Sequence, residues 1–504
     1  MNPPASLRNS ALHAYEAAER TFDATFGSAA NPLRHLGALG FMFFWWLAIS
    51  GIYLYAALDT SVDGAWRSID ALSREQWYLG GLLRSLHRYC ADAFMVVTLL
   101  HLAREFLLGR HSGFRRFSWL TGVPLPLFIF ACGIGGFWLT WDQLGQFSAL
   151  ATAEFFDWLP FFASPLTRNF LDAASVSDRL FSLFVFVHLG VPLLLLFGLW
   201  FHIQRIAHAD VFPPRTLAAG TTAALLAVAL AVPVMSQPQA DLSIVPGPLA
   251  IDWFLLFVHP LVYATSAGLV WALFCAALLF LLALPFLPRA APPAVAQVDP
   301  DNCNGCRRCL EDCPYAAITM APHPNGKAGR QLAVVDADLC ASCGICVGSC
   351  PSSTPFRSDA KLVTGIDMPQ LPVDELRKRL EAGLAALKGD RRIVAIGCDH
   401  CSRLGPFAGP DVTVLSLACT GMLPPSFVEY ALRAGATGVL VTGCSEGTCA
   451  FRLGTRWTKE RIGGAREPHL RASVPRDRIA TAWLAPGDDQ ALATALADFR
   501  RRHA

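Results

Sequence analysis

Charge is what this 504-residue chain has least of: Asp, Glu, Lys and Arg make up 16% and the net charge is +2, where soluble domains carry about 25% charged residues. That balance excludes a protein that holds nucleic acid by bulk positive charge, and a disordered chain, which needs few apolar residues and high net charge. A Gly-rich dinucleotide loop and a phosphate-binding P-loop are also missing. No short apolar stretch with a small-residue cleavage site opens the sequence, so no removable signal peptide is expected. The 16 cysteines do not follow a secreted disulfide scaffold. Cys90, Cys132 and Cys275 are isolated, eight lie between Cys303 and Cys350, and five between Cys398 and Cys449. Such short spacings favour metal ligation in a reducing compartment.

The shortage of charge is uneven. Leu36 to Pro288 holds 26 charged residues in 253, whereas Arg289 to Ala504 holds 48 in 216. A membrane region therefore precedes a soluble region, and the length suits about three domains. Uncharged runs at Leu36 to Leu58, Phe117 to Trp141, Leu180 to Gln204, Thr216 to Ala240 and Trp253 to Pro288 each exceed the roughly 20 helical residues that cross a bilayer. A sixth span, Leu79 to Leu108, is apolar apart from Arg84, Arg88, Asp92, Arg104 and Glu105; charges inside a span face a bundle interior or a cofactor. Pro4 to Phe26 reads as an amphipathic surface helix. Nine basic residues (Arg8, Arg20, Arg34, Arg104, Arg110, Arg115, Arg116, Arg205, Arg215) flank one side, against Arg67, Arg74, Arg168 and Arg179 on the other. The positive-inside rule then places both termini in the cytoplasm.

His87 and His101 share the second span, and His188 and His202 the fourth, each pair 14 residues apart. Fourteen residues are nearly four helical turns, so each pair shares a face and is spread over about 21 Å. Two antiparallel helices so marked offer two bis-imidazole sites, His87 with His188 near the outer face and His101 with His202 near the cytoplasmic face, as two stacked b haems require. Gly37 with Gly51, and Gly122 with Gly136, repeat the same interval where a missing Cβ admits a flat macrocycle. Taken singly, the histidines also suit a polar bundle interior, and the glycines ordinary helix packing.

The stretches SLHRYCADAFMVVTLLHLAREFLLG, WLTGV with GFWLTWDQ, and SPLTRNFLDAASVSDRLFS resemble the cytochrome b of Rieske/cytochrome b complexes. The resemblance implies haem ligation by His87, His101, His188 and His202, with Arg84 and Arg88 as propionate partners. The family's Leu-Pro-Trp reads Leu-Thr-Trp at Leu139 to Trp141, and its Pro-Glu-Trp-Tyr segment reads Ile251, Asp252, Trp253, Phe254. The resemblance makes Asp252 a candidate acceptor of a quinol proton, with His259 a second; an Asp-Trp pair anchoring a helix end at the interface is the other reading. His208, just past the fourth span, reads as a solvated histidine or as a group serving a cytoplasmic-side quinone.

After an Ala/Pro-rich linker (Ala290 to Ala296) come Cys303, Cys306, Cys309 and Cys313 before Pro314, then Cys340, Cys343, Cys346 and Cys350 before Pro351. This doubled C-x2-C-x2-C-x3-C-P resembles the bacterial two-cluster ferredoxin, whose fourth cysteine of each run serves the other cluster. It implies one [4Fe-4S] cluster on Cys303, Cys306, Cys309 and Cys350 and a second on Cys340, Cys343, Cys346 and Cys313. A pair of zinc sites is the alternative.

Val373 to Lys388 reads as a charged connecting helix. Beyond it, apolar runs at Ile393 to Ile396, Val412 to Leu417, Gly438 to Thr442 and Ile479 to Trp483 alternate with helical stretches such as Phe427 to Ala434, a pattern that predicts a small α/β domain with a mostly parallel sheet. Cys398, Cys401, Cys419, Cys444 and Cys449 follow the ends of the runs, where such sheets form a crevice. The phrases GCDHC, ACTGMLPPSFVEYALRAGATGVLVTGC and GCSEGTCAFRLG resemble the small iron–sulfur (delta) subunit of methyl-viologen-reducing hydrogenase. That family carries a [2Fe-2S] cluster and relays electrons to the flavin subunit of heterodisulfide reductase-type complexes. Five thiols exceed four ligands, and zinc or free thiols remain alternatives. The family's His-Tyr after the last cysteine reads Ala450-Phe451 here.

The expected architecture is an α-helical transmembrane bundle of six spans, a ferredoxin-like α+β module and a small α/β domain. The divisions fall at 1–35 (N-terminal segment), 36–289 (di-haem membrane domain), 290–365 (two-cluster ferredoxin), 366–390 (linker helix) and 391–504 (delta-subunit-like domain). The expected function is electron transfer between the quinone pool and a cytoplasmic flavin or iron–sulfur partner, heterodisulfide reductase-like or hydrogenase-like, in the bacterial inner membrane. Whether the chain is itself a quinone-linked oxidoreductase, an electron conduit without a quinone site, or a redox sensor stays open, as does a homodimeric state. The membrane field and low cluster potentials favour flow outward to quinone.

Overall fold

Apolar runs form helices until proline or a capping side chain stops them, and those stops decide how the membrane region is built. The computed structural model describes residues 3–170, 175–244, 247–287, 294–325, 329–358 and 361–502. Positions 171–174 of the third cytochrome-like stretch and 290–293 of the linker lie outside the described residues. The surface helix α1 (Pro3–Phe26) is followed by α2 (Leu36–Ala57) and α3 (Val62–Arg74). The Ser61 hydroxyl caps α3 by accepting from the Gly64 N–H at 3.0 Å. Helix α4 (Leu82–Leu107) runs along α2.

The expected span at Phe117 to Trp141 is two helices, α5 (Arg116–Gly122) and α6 (Leu125–Thr140), because Pro124 has no N–H to continue the ladder. Then come α7 (Gln143–Asp157), capped by Asp142, and α8 (Asp178–Ile203), which packs on α6. Helix α9 (Arg215–Ala231) stops nine residues short of the expected Ala240. Pro233 disfavours helical backbone at the residue before it, and the chain continues extended across the bundle end. There the Val234 N–H donates to Ser85 Oγ, Gln237 N–H to Asp142 Oδ2 and Asp241 N–H to Gln146 Oε1, each at 2.9 Å. The last expected span is also divided, into α10 (Val258–Ala264) and α11 (Ala267–Ala283), with Ser266 capping the second.

Among the described residues four helical stretches are long and apolar enough to cross a membrane: Leu36–Ala57, Gly113–Thr140, Asp178–Ile203 and Ala267–Phe286. Helix α4 matches them in length but carries five charges, and α9 has 17 residues. On α8, Phe186, Leu193 and Phe197 point outward with most of their surface exposed, as on a lipid-facing side.

The soluble region starts with β1 (Gln297–Val298), α12 (Arg308–Asp312), β2 (Ile318–Pro322), β3 (Gln331–Val335), α13 (Ile345–Ser349) and β4 (Ile366–Asp367). β1 pairs with β4 and β2 with β3, both antiparallel. The connecting helix α14 (Val373–Ala386) leads to β5 (Ile393–Cys398), β6 (Val412–Leu417), α15 (Ser426–Arg433), β7 (Gly438–Cys444), α16 (Gly454–Gly463), β8 (Ile479–Leu484) and α17 (Asp489–Arg502). The sheet order is β6-β5-β7-β8, all parallel. One core runs through both modules: Ala317, Cys346 and Val347 are continuous with Met368, Leu376, Leu380, Ile396, Leu417 and Phe427.

Candidate haem and iron–sulfur sites

Helices α4 and α8 bring the four histidines together in the pairs that depth suggests. The His87 and His188 ring centres stand 6.4 Å apart. A metal held by one nitrogen of each ring at about 2 Å, with about 1.1 Å from nitrogen to ring centre, needs roughly that separation. His87 Nδ1 lies 3.0 Å from Ser50 Oγ, His188 Nδ1 3.1 Å from the Cys132 carbonyl, and His202 Nδ1 3.3 Å from Thr121 Oγ1. Holding Nδ1 in this way fixes the ring and leaves Nε2 for a metal.

The glycines meet the imidazoles directly. A Cβ built at Gly122 would stand 2.8 Å from His202 Cε1, at Gly51 3.1 Å from His87 Cε1, at Gly136 3.3 Å from His188 Cε1 and at Gly37 3.7 Å from His101 Cε1. Each expected glycine thus serves one expected histidine on a neighbouring helix, and the cradle suits a flat group between the helices.

Both arginines have partners within the chain. Arg84 is buried and donates to Ser73 Oγ at 2.9 Å, Ser236 Oγ at 3.0 Å and the Ile69 carbonyl at 3.3 Å. Arg88 pairs with Asp92 at 2.6 Å and with Asp252. Asp252 Oδ1 also accepts from the Phe254 and Leu255 N–H groups at 3.0 and 2.8 Å, so it ties down the turn that precedes α10 as well as carrying an ion pair. His259 is buried against Phe147, with Nε2 3.1 Å from Ser148 Oγ and, among the described residues, no hydrogen-bond partner for Nδ1. His208 is exposed, as a solvated histidine would be, with its ring edge-on against Trp457 at 5.6 Å.

The ferredoxin segment encloses a pair of thiol-lined cavities. Cys303, Cys306, Cys309 and Cys350 line one, and Cys313, Cys340, Cys343 and Cys346 line the other. The exchange of the fourth cysteine between runs is therefore reproduced in space. Left-handed residues Gly305, Arg307, Ser342 and Gly344 fold the loops inward, and a Cβ at Gly305 would lie 2.5 Å from the Gln331 carbonyl oxygen. Burial pushes the Cys309 and Cys343 thiols up to about 12, so they shed protons only as metal binds. Among the described residues no three His, Cys, Asp or Glu side chains converge as on a single ion. A cluster asks instead for thiols spaced around its inorganic core, which fits these rings better than zinc does.

At the carboxyl ends of β5 and β7, Cys398, Cys401 and Cys444 are buried together with Cys449 at their edge. Cys419 lies to one side, against Cys343, Ile345 and Trp457 as well as Cys449. Between these modules Arg461 is buried, donating to the Gly421 carbonyl at 2.8 Å and pairing with Asp312, which Arg466 also holds at 2.6 Å. Sequence reading missed this pair; Asp312 beside Cys313 was its only local sign.

Imidazole pairs in a helical bundle and thiol rings in the domain that follows define a membrane electron-transfer protein carrying haem b and iron–sulfur clusters. The comparisons agree segment by segment. Residues 23–209 match the family model described as cytochrome b/b6/petB, 302–354 a 4Fe-4S dicluster domain, and 393–503 the delta subunit of methyl-viologen-reducing hydrogenase. The chain is a fusion of segments similar to these three families, in that order. Among solved structures, a chain of a "Hyperthermophilic respiratory Complex III" aligns at 20% identity and a TM-score of 0.40, covering 51% of this chain and 75% of that one.

Proposed function

We propose that the protein links the quinone pool of the bacterial cytoplasmic membrane to a soluble flavin or iron–sulfur partner of hydrogenase or heterodisulfide reductase type. The bundle would have six spans, with α4 and α9 completing the four apolar stretches, and both termini and the thiol-bearing domains on the cytoplasmic side. His87 with His188 and His101 with His202 would hold two b haems. Cys303, Cys306, Cys309 and Cys350 would hold one [4Fe-4S] cluster, Cys340, Cys343, Cys346 and Cys313 the other, and the C-terminal thiols a [2Fe-2S] cluster. These groups supply one-electron chemistry when bound, while the chain sets their spacing, insulation and proton access. The observation that carries the reading is the gathering, within one chain, of two imidazole pairs and two four-thiol rings into the groupings such cofactors require.

Proton handling at the outer end falls to Asp252 and His259. Arg88 offsets the Asp252 charge, and His259 is buried beside Ser148 with Nδ1 lacking a hydrogen-bond partner among the described residues. Because Asp252 also holds the turn before α10 through two backbone N–H groups, the rival reading of a conduit without a quinone site has a specific observation behind it. The discriminating experiment follows quinol-dependent haem reduction in Asp252→Asn and His259→Gln. Loss of reduction in either variant, with both haems retained, supports the quinone site; unchanged rates in both leave the conduit.

A further inference from the structure

The order of the modules along the chain suggests a linear relay through the first ferredoxin ring, then the second, then the C-terminal thiols. Contacts between modules point elsewhere. Tyr315 and Pro314 line the second ring's cavity. The Tyr315 ring packs at a tilt of 51° against Phe114, centroids 4.5 Å apart, and its hydroxyl accepts from Arg115 at 3.3 Å, while the Ala207 N–H donates to the Pro314 carbonyl at 3.1 Å. Phe114 and Arg115 lead into α5, whose far end places Thr121 and Gly122 against His202. Seven helical residues at about 1.5 Å each make that span only about 10 Å.

The same ring faces the C-terminal domain. Cys343 and Ile345 pack with Cys419, which in turn touches Cys449. A Cβ at Gly344 would meet Met422 Cγ at 2.7 Å, and the Asp312–Arg461 pair locks the two modules beside it. Arg452 ties the corner, donating to the Ala207 carbonyl at 2.8 Å, the His208 carbonyl at 2.7 Å and the Pro314 carbonyl at 3.3 Å. The first ring, by contrast, is lined wholly by residues between 303 and 366, and its Cys306 is exposed.

We propose that the ring of Cys313, Cys340, Cys343 and Cys346 is a three-way junction: Tyr315 and Phe114 position it against the His101/His202 site, and Cys419 against the C-terminal thiols. The Cys303, Cys306, Cys309 and Cys350 ring is a side branch open to solvent. This rests on the functional reading above, since it presumes that the rings hold clusters. Tyr315 is a positioning residue.

The test uses the full chain loaded with haem and iron. Reduced methyl viologen is the donor, haem absorbance is followed by stopped flow, and iron content and the midpoint potentials of the cluster EPR signals are measured on the same samples. In Tyr315→Leu iron content and midpoint potentials are unchanged and the fast phase is lost; Tyr315→Phe restores it. Persistence of the fast phase in Tyr315→Leu, or its loss in Tyr315→Phe, overturns the junction. Wild-type protein lacking both haem and cluster iron would overturn the wider functional reading instead.

Discussion

Replacing Gly122 with alanine separates the haem-cradle argument from generic helix packing. The added methyl would sit 2.8 Å from His202 Cε1 and 3.1 Å from Nδ1, about 0.6 Å inside the 3.4 Å at which ordinary contact begins. Overpacking of this kind costs about 1–3 kcal/mol. Turning the ring away also strains the Thr121–His202 contact at 3.3 Å, worth about 0.5–1.5 kcal/mol. Alanine returns about 1 kcal/mol to the helix, so the fold survives and the damage falls on the position of His202. Gly37→Ala is the matched control, because its Cβ would stand 3.7 Å from His101, an ordinary contact. Haem content and redox titration of the purified variants provide the assay. Gly122→Ala should lose or shift one of the two haem components, Gly51→Ala and Gly136→Ala should have smaller effects in that order, and Gly37→Ala should match wild type. If Gly122→Ala keeps both components unchanged, or Gly37→Ala disturbs them equally, the contact reasoning is wrong.

Two further outcomes follow from the soluble domains. Asp312→Asn removes the carboxylate between Arg461 and Arg466, where Asp312 and Arg461 are 2% and 1% exposed; an uncompensated buried charge costs about 3–5 kcal/mol. Denaturant unfolding of this region should register that loss, and a change below about 1 kcal/mol would show that the pair is not what joins the modules. Cys419→Ala should preserve cluster iron and the [2Fe-2S] EPR signal, since Cys398, Cys401 and Cys444 are buried as one group with Cys449 at its edge, and Cys419 is linked to that group through Cys449. Disappearance of that signal would make Cys419 a ligand.

Much of this protein is legible locally. The 14-residue interval puts His87 and His101, and likewise His188 and His202, on one face because helical geometry converts sequence distance into direction. The doubled cysteine spacing likewise sorts the eight thiols of the ferredoxin segment into the two rings seen in the structure. Strand positions after Arg391 follow the apolar runs closely, with Gly438 to Thr442 extended only to Cys444. The error lies in helix length: α9 ends at Ala231, short of the expected Ala240, with Pro233 the available signal, whereas the two helices that meet at Pro124 still form one stretch long enough to cross a membrane.

Other features have no local trace. Arg88 meets Asp252 across 164 positions, and Tyr315 meets Arg115 across 200, so no spacing or periodicity announces them. Composition, interval and cysteine pattern determined which residues are fit to hold haem and clusters, because those requirements are met within a helix face or a short loop. Which site neighbours which was decided by the tertiary structure alone. That depends on how helix ends, ring loops and strand ends pack, and packing is a property of surfaces that the chain order does not order.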